Sequence, residues 1–427
     1  MKKFSKIFAL ILTLSLSIAM LSGCVIVPIN PSGSATVGGI SNYNNNVTVN
    51  VVESNTVKYN STVEMIEALS PTVYEVYAKE SVSSTGVACG SGTIIADNIA
   101  TQPTEEKQPV TYFMLTCHHV IDSLELFMVK DMYGNEFNAK LIGGDPQTDI
   151  AVLCFTPEED GFISVEGQPN VFTKDGKTLT VKKATVRIEK NADGSDSNPI
   201  KIGESVYAIG NALGVLGGSV SHGIISSKNR DVTFEGKKLT GLIQTDCLVN
   251  GGNSGGGLFD EQGNLIGVIN GGYTGDVQGI NFAIPSDTAF DVFNQIVSTY
   301  NGINYGYVKG RASFKLSLAN LTSGSDLALY QYNETFFGDP TVYVVAVAPI
   351  FKGKFLVNDI IKSVQVRSEK EYKVSTVTAL INYINGLKYE IGDKIVFKLV
   401  RNKQEVQVEI ELEQFIYNNT GKFKETV

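Results

Sequence analysis

The sequence predicts a mainly β protein followed by a small α+β domain. Short apolar runs separated by Gly, Asp, Asn and Pro indicate many short strands joined by turns. Helical periodicity is confined to three short segments. This mixture favours an all-β sandwich or barrel. The β-type runs lie at 72–78, 92–96, 112–117, 124–129, 150–155, 205–210, 223–227, 242–246, 265–269 and 280–284.

The N-terminus has the proportions of an export signal over residues 1–23. Lysines within the first six residues precede an apolar run at 7–21, which is too short to span a bilayer comfortably. The run ends in LSGC, which resembles the lipobox of bacterial lipoproteins. The resemblance implies that Cys24 is lipidated and anchors the chain outside the cytoplasmic membrane. The alternative is an ordinary signal peptide with an incidental cysteine.

The segment after the cysteine is rich in Asn, Ser, Thr, Gly and Val, so a flexible tether is predicted over 24–60. A short helix is expected at 62–69, before the first strand. Residues 98–110 and 156–200 are long polar connections, and the second should carry a hairpin of its own.

The pattern becomes helical at 286–300, where Ser286 is a suitable N-cap. A Gly/Asn hinge follows. The second domain is predicted at 308–415, with strands at 341–348, 394–400 and 405–412 and a helix at 374–387.

Composition excludes a nucleic-acid-binding role. The chain of 427 residues has a net charge of −9, whereas nucleic-acid binding needs a basic patch. The cysteines Cys89, Cys117, Cys154 and Cys247 fit no zinc spacing. A disulfide between Cys89 and Cys117 is one option in an exported protein, and buried thiols are the other.

Candidate chemistry centres on the stretch NGGNSGGGL at 250–258, which places Ser254 among glycines. A serine nucleophile needs a base, usually histidine, and a group that orients the base. The chain has three histidines, His118, His119 and His222. A phosphate-binding loop would require Gly-Lys-Ser/Thr and a following helix, and neither is present.

The order of these pieces resembles the HtrA (DegP/DegQ) family of trypsin-like serine proteases. The resemblance covers about residues 61–285, and the protease domain is predicted at 61–300. It implies a chymotrypsin-like double β-barrel that holds the site between its barrels. The matching pieces are GSGTII (90–95), LTCHHVID (115–122), GGDPQTDIAVL (143–153), YAIGNALG (207–214), SVSHGIISS (219–227), IQTDCLVNGGNSGGGLFDEQGNLIGVI (243–269) and GINFAIP (279–285).

The resemblance implies a role for each residue of the site. His119 corresponds to the base, Asp149 to the carboxylate that orients it, and Ser254 to the nucleophile. The backbone N–H groups of Gly252 and Ser254 would form the oxyanion hole, and Asn253 would shape the turn. No metal or organic cofactor is implied.

Several alternatives compete with these assignments. His118 is the adjacent histidine, but on a strand end its side chain should point to the opposite face from that of His119. Asp145 could replace Asp149, although it lies in a predicted turn. His222 is expected to be a surface or packing residue. Gly251 stands where the family often has proline.

A specificity pocket is expected to involve Leu248, Val268, Ile269 and Asn270. Because residue 248 is not acidic, cleavage after Arg or Lys is not expected, and a small or medium apolar residue should precede the cut.

The second domain resembles a PDZ domain, mainly in VNDIIKSVQ (357–365) and GDKIVFKLVRNKQEVQVEIEL (392–412). Such a domain could bind C-terminal peptides as an added strand. A carboxylate-binding loop is not evident in GRASFKLSL (310–318), so a packing module is the alternative.

Together these features predict a lipid-anchored, extracytoplasmic serine endopeptidase that degrades unfolded or misfolded exported proteins. The family could also imply a homotrimer. The competing hypotheses are a chaperone or peptide-binding scaffold on a protease fold, with little turnover, and a lipid-tethered adhesin.

Overall fold

The computed structural model describes the chain in segments that cover most of two units. The predicted signal peptide and Cys24 lie outside the described residues. The larger unit comprises Met1–Val232 and Leu239–Val308, and the smaller comprises Thr233–Lys238 and Lys309–Val427. The described residues are 34–40, 45–52, 59–81, 88–99, 109–122, 124–189, 198–214, 216–234, 237–272, 279–302, 305–309, 312–313, 316–320, 342–347, 353–377, 379–380, 383, 391–402 and 404–414.

The described part of the larger unit begins with two antiparallel strands and a helix. These are β1 (Ser34–Ile40), β2 (Asn45–Val52) and α1 (Thr62–Leu69). The hydroxyl of Ser61 accepts a hydrogen bond from the N–H of Glu64, which caps the predicted helix at its N-terminus.

The first barrel is a closed set of six antiparallel strands in the order β4-β3-β6-β7-β8-β5, with β4 also pairing β5. Strands β5 and β8 are buried along their whole length, whereas β3 alternates buried and partly exposed residues. A helical turn, α2 (His118–Ile121), follows β5 directly. The strands are β3 (Val73–Lys79), β4 (Ala88–Asp97), β5 (Tyr112–Cys117), β6 (Leu126–Lys130), β7 (Glu136–Asp145) and β8 (Ile150–Phe155).

The long connection after the first barrel forms a small antiparallel sheet in the order β11-β10-β9, as the expectation of a local hairpin anticipated. Its strands are β9 (Ile163–Val165), β10 (Gln168–Lys174) and β11 (Lys177–Thr180). Strand β12 (Thr185–Arg187) then leads toward the second barrel.

The second barrel repeats the closed six-stranded plan in the order β16-β13-β14-β15-β18-β17, with β16 also pairing β17. Its core includes Val206, Ile225, Ile243, Leu258 and Ile266. The strands are β13 (Ser205–Ala212), β14 (Leu216–Phe234), β15 (Lys237–Thr245), β16 (Gly257–Asp260), β17 (Asn264–Gly272) and β18 (Asn281–Pro285). The larger unit is therefore a trypsin-like double barrel.

Strand β2 corrects the predicted tether. It pairs antiparallel with β4 of the first barrel and parallel with β12, which itself pairs with β17 of the second. Val47 and Val49 are buried in this bridge. Residues 45–52 are thus an ordered strand, because their alternating valines supply an apolar face that the polar composition of the segment conceals.

Helix α3 (Ser286–Thr299) closes the larger unit at the predicted place. The predicted N-cap is wrong by one residue. Pro285 occupies the cap position, and the Ser286 hydroxyl donates to the carbonyl of Arg187 instead.

The smaller unit contains an antiparallel sheet in the order β20-β21-β22-β24-β25, with β23 added to β22. A bidentate pair between Arg401 and Asp359 lies beside its core. The predicted helix at 374–387 lies largely outside the described residues. The strands are β19 (Ala312–Ser313), β20 (Leu316–Asn320), β21 (Val342–Val347), β22 (Ile360–Val366), β23 (Tyr372–Lys373), β24 (Lys394–Arg401), β25 (Gln404–Glu411) and β26 (Glu413–Gln414), and β19 pairs with β26.

The described cysteines Cys89, Cys117, Cys154 and Cys247 are all thiols, so the disulfide considered between the first two is not formed in this structure. Among the described residues, no helix is long and apolar enough to cross a membrane.

Candidate active site

His119 and Asp149 form a hydrogen-bonded pair in the larger unit. His119 lies on the short turn α2, immediately after β5, and its Nδ1 is 2.6 Å from Oδ2 of Asp149. Its backbone N–H also donates to Oδ1 at 3.0 Å. An ionised carboxylate only accepts hydrogen bonds, so Nδ1 carries the proton and Nε2 is left as the acceptor.

Asp149 is held in an unusual backbone conformation directly before β8. Its φ of 65° lies in the left-handed region, which non-glycine residues seldom adopt. The N–H of His118 donates to its carbonyl at 2.9 Å. The backbone N–H of His118 thus binds the carbonyl of Asp149, and that of His119 binds its carboxylate. Together they hold the strained Asp149 in place.

Asn270 connects the pair to Ser254. Its side-chain N–H donates to Oδ2 of Asp149 at 2.6 Å, and its backbone carbonyl accepts the Ser254 hydroxyl at 2.9 Å. Asp149 is almost fully buried, and donors from His119 and Asn270 compensate the loss of water around its charge. The sequence placed Asn270 in the specificity pocket and gave no sign of this contact, which depends on β17 lying beside β5.

The loop before Ser254 is a type II turn. The N–H of Asn253 donates to the carbonyl of Asn250 at 3.1 Å, and Gly252 has a φ of 93° at the third position of the turn. A Cβ at Gly252 would overlap the carbonyl oxygen of Asn211. Both the positive φ and this close approach therefore require glycine.

This turn sets the direction of the central peptide group. The carbonyl of Gly251 accepts the N–H of Leu213 at 2.6 Å. In a trans peptide the C=O and N–H point in opposite directions, so the Gly252 N–H points away from Leu213. Within the described part of the chain, neither this N–H nor that of Ser254 donates a hydrogen bond. Both are available to an incoming oxygen atom.

The remaining histidines and the alternative aspartate lie in other environments. His118 is buried, and a Cβ on Gly144 would come within 2.6 Å of its ring. His222 is exposed, stacks on Tyr207 with ring centroids 4.6 Å apart, and lies 2.9 Å from the Ser205 hydroxyl. The carboxylate of Asp145 accepts hydrogen bonds within its own turn, from Gln147 and Thr148.

The expected pocket residues are divided between surface and interior. Leu248 is 64 % exposed, whereas Val268 and Ile269 are buried along β17. Ile269 packs in the core of the second barrel. Their role in specificity stays a prediction.

Donor atoms of Cys117, His119 and Asp149 lie within 4.8 Å of one another, the spacing of a metal site. Each donor is already engaged. The Cys117 thiol donates to the carbonyl of Ile269 at 3.2 Å, and the other two bind each other. The arrangement of a base, an orienting carboxylate, a hydroxyl and two unused N–H groups suits acyl transfer.

Comparison with known proteins agrees with this chemistry. Residues 90–268 match the family model described as a trypsin-like peptidase domain. A protein of Rickettsia prowazekii (strain Madrid E), named "Probable periplasmic serine endoprotease DegP-like", is 36% identical over 213 residues, which are 49% of this chain and 34% of that protein. A protein of the same name from Pseudomonas putida (strain F1) is 30% identical over 300 residues, 70% of this chain and 53% of its own.

The chain thus spans between a third and about half the length of these relatives. A solved structure described as "HtrA-type protease AlgW with tripeptide" aligns over 84% of this chain and 98% of its own, at 26% identity and a TM-score of 0.44. Residues 90–268 are thus similar to trypsin-like peptidase domains, and the chain is similar in sequence to proteins named DegP-like serine endoproteases.

Proposed function

We propose that the chain is a serine endopeptidase whose catalytic residues are His119, Asp149 and Ser254. The observation that carries the proposal is the 2.6 Å contact between His119 and Asp149, beside a serine whose loop offers two unused N–H groups. Sequence relatives with serine endoprotease names support the same activity.

The first chemical step follows from the positions of these groups. The Oγ of Ser254 attacks the peptide carbonyl, and Nε2 of His119 takes its proton. The carbonyl oxygen becomes an oxyanion that accepts the N–H groups of Gly252 and Ser254, while Asn253 shapes the turn. Asp149 holds the imidazole in the required tautomer and stabilises its charged form.

The second step releases the products. His119 returns the proton to the leaving amine, which leaves an acyl ester on Ser254. Water then attacks the ester with His119 again acting as base, and the serine is regenerated.

The Ser254 hydroxyl must first change its hydrogen bond. In the structure it donates to the Asn270 carbonyl. The mechanism requires the hydroxyl to exchange this acceptor for Nε2 of His119 by rotation about the Cα–Cβ bond, and such rotamer changes are fast compared with turnover. The structure thus corresponds to a resting orientation of the nucleophile.

Covalent labelling tests the activity directly. The full-length chain is treated with a fluorophosphonate probe, and the adduct is located by intact mass and peptide mapping. We expect one adduct on Ser254 in the wild type and none in Ser254→Ala. Casein hydrolysis should be lost in the same variant. A folded wild type that neither labels nor hydrolyses casein would contradict the proposal and favour a chaperone or peptide-binding scaffold.

We further propose that the protein acts outside the cytoplasm on unfolded or misfolded exported proteins, anchored to the membrane by lipid on Cys24. The export-type N-terminus supports this location, as does the word periplasmic in the names of the relatives. A Cys24→Ser variant should lose incorporation of labelled palmitate. Incorporation equal to that of the wild type would rule out Cys24 as the anchor.

The smaller unit is proposed to be a PDZ-like module that binds C-terminal peptides, and the protein is proposed to form a homotrimer. The sheet of the smaller unit and its sequence resemblance support the first of these. Calorimetry with peptides that end in free or amidated apolar carboxyl termini tests the module, because carboxylate capture requires the free form. Sedimentation equilibrium tests the trimer.

A further inference from the structure

Ser91 makes three hydrogen bonds that join the two barrels at the nucleophile. It lies on β4 of the first barrel and is fully buried. Its backbone N–H donates to the carbonyl of Ser254 at 2.8 Å, and its hydroxyl donates to the carbonyl of Gly252 at 2.8 Å. The same hydroxyl accepts the N–H of Asn211 at 2.8 Å.

These acceptors belong to the two residues whose N–H groups face the reacting carbonyl in the proposed mechanism. Gly252 and Ser254 are each held on their carbonyl side by the same residue. Asn211 begins the segment that also contains Leu213, whose N–H binds Gly251 at the centre of the turn. The Ser91 hydroxyl therefore joins the turn to the segment that braces it.

Ser91 is itself held rigidly. The Thr116 hydroxyl donates to its carbonyl at 2.7 Å from β5. A Cβ on Gly255 would overlap the same carbonyl, and a Cβ on Gly210 would lie 3.1 Å from the Ser91 hydroxyl. The backbone of Gly210 and Gly255 thus packs closely against Ser91 from the second barrel, so the hydroxyl has little freedom to reorient.

We propose that Ser91 is a positioning residue that aligns the oxyanion-binding N–H groups of Gly252 and Ser254 through its hydroxyl. This inference rests on the proposed serine endopeptidase function. An alanine would satisfy the packing of a buried strand equally well. The hydroxyl donates to the Gly252 carbonyl of the loop and accepts the buried N–H of Asn211 on β13 at the same time. Its removal leaves both groups without that partner.

The proposal predicts a selective kinetic defect. Oxyanion stabilisation acts on the transition state more than on bound substrate, so kcat should fall while KM changes little. The base and its carboxylate are not bonded to the Ser91 hydroxyl, so the pH of half-maximal activity should remain that of the wild type.

The test compares Ser91→Ala and Ser91→Cys with the wild-type full-length chain. The thiol of the second variant fills the space but bonds weakly, which keeps the test valid if the alanine variant folds poorly. Ser286→Ala is the matched control, because Ser286 is equally buried and its hydroxyl donates to the carbonyl of Arg187. The measurements are fluorophosphonate labelling rate, kcat and KM with casein, the pH profile and thermal unfolding.

We expect kcat and the labelling rate of Ser91→Ala to fall roughly 10- to 100-fold, with a smaller fall in Ser91→Cys and none in Ser286→Ala. Wild-type rates in a folded Ser91→Ala or Ser91→Cys variant would overturn the role of Ser91. A raised KM with unchanged kcat, or a displaced pH profile, would also overturn it. Failure of the wild type to label at Ser254 would instead overturn the proposed function, and the role of Ser91 with it.

Discussion

The turn before Ser254 has a glycine, Gly251, at a position that can accept proline. It occupies the second position of the type II turn, where proline is favoured, and a Cβ there would meet no atom within 4 Å. Its φ is not positive, and in the described part of the chain its N–H donates no hydrogen bond. These observations are compatible with proline, whose ring would also restrict the unfolded chain.

We expect Gly251→Pro to raise the free energy of unfolding by about 0.4–1 kcal/mol. Urea unfolding measures this change, and fluorophosphonate labelling should be retained. Gly252→Ala is the contrasting variant, because its φ of 93° and the overlap with Asn211 forbid a side chain. A proline variant less stable than the wild type would show that the turn differs from the one described.

Asn270 permits a second test at the level of single residues. Its side chain donates to the buried carboxylate of Asp149. A hydrogen bond to a charged group contributes about 1.5–3 kcal/mol, so Asn270→Ala should lower kcat roughly 10-fold or more. The backbone carbonyl that accepts the Ser254 hydroxyl is retained in this variant.

Asn264→Ala provides the matched control on the same strand. Asn264 is buried and its side chain donates to Asp260, another buried carboxylate. Both variants should lose stability, but kcat should fall only for Asn270→Ala. Equal kcat values in the two variants would contradict the orienting role of Asn270.

At the level of elements, helix α3 carries a carboxyl group whose ionisation opposes folding. Burial, assisted by the charge of Asp287, raises the pKa of Asp291 from 3.8 to about 7. Because the pKa is higher in the folded state than in the unfolded chain, the cost of ionising Asp291 is absent below about pH 4. It grows as the pH rises and is complete above about pH 7.

Asp291→Asn should therefore be more stable than the wild type at pH 8 by roughly 1 to 2 kcal/mol, after allowance for partial exposure, and nearly equal to it at pH 4. Urea unfolding at both values measures the difference. Asp175→Asn, which removes a carboxyl group from an exposed turn, is the control. A gain for Asp291→Asn that is the same at both pH values would refute this account.

The sequence predicted the positions of strands along the chain better than the contacts between distant residues. Runs such as 112–117 and 150–155 became β5 and β8, because apolar β-type residues between turn residues specify a strand locally. The contacts of Asn270 and Ser91 could not be anticipated. Each joins segments more than a hundred residues apart, and their positions follow from barrel closure rather than from any local pattern.

At the scale of the whole molecule, the two barrels of the larger unit are connected by a strand that the sequence assigned to a tether. Strand β2 pairs with β4 on one side and with β12 on the other, and β12 continues to β17. His119 and Ser91 belong to the first barrel, and Ser254 and Asn270 to the second. The active-site hydrogen bonds therefore depend on how firmly the barrels are held together.

A chain that begins at Tyr59 should fold less stably than one that begins at Ser34, because it lacks β1 and β2. Burial of an apolar side chain contributes about 1.5–3 kcal/mol, and the loss of Val47 and Val49 should cost roughly 3 kcal/mol or more. Replacing both valines by threonine in the longer chain is the matched control, since it keeps the strand propensity but weakens the apolar face. Urea unfolding would measure stability, and fluorophosphonate labelling at Ser254 would report barrel alignment. If the shorter chain unfolded at the same urea concentration and labelled at the same rate, β2 would be an accessory strand and the barrel interface alone would align the site.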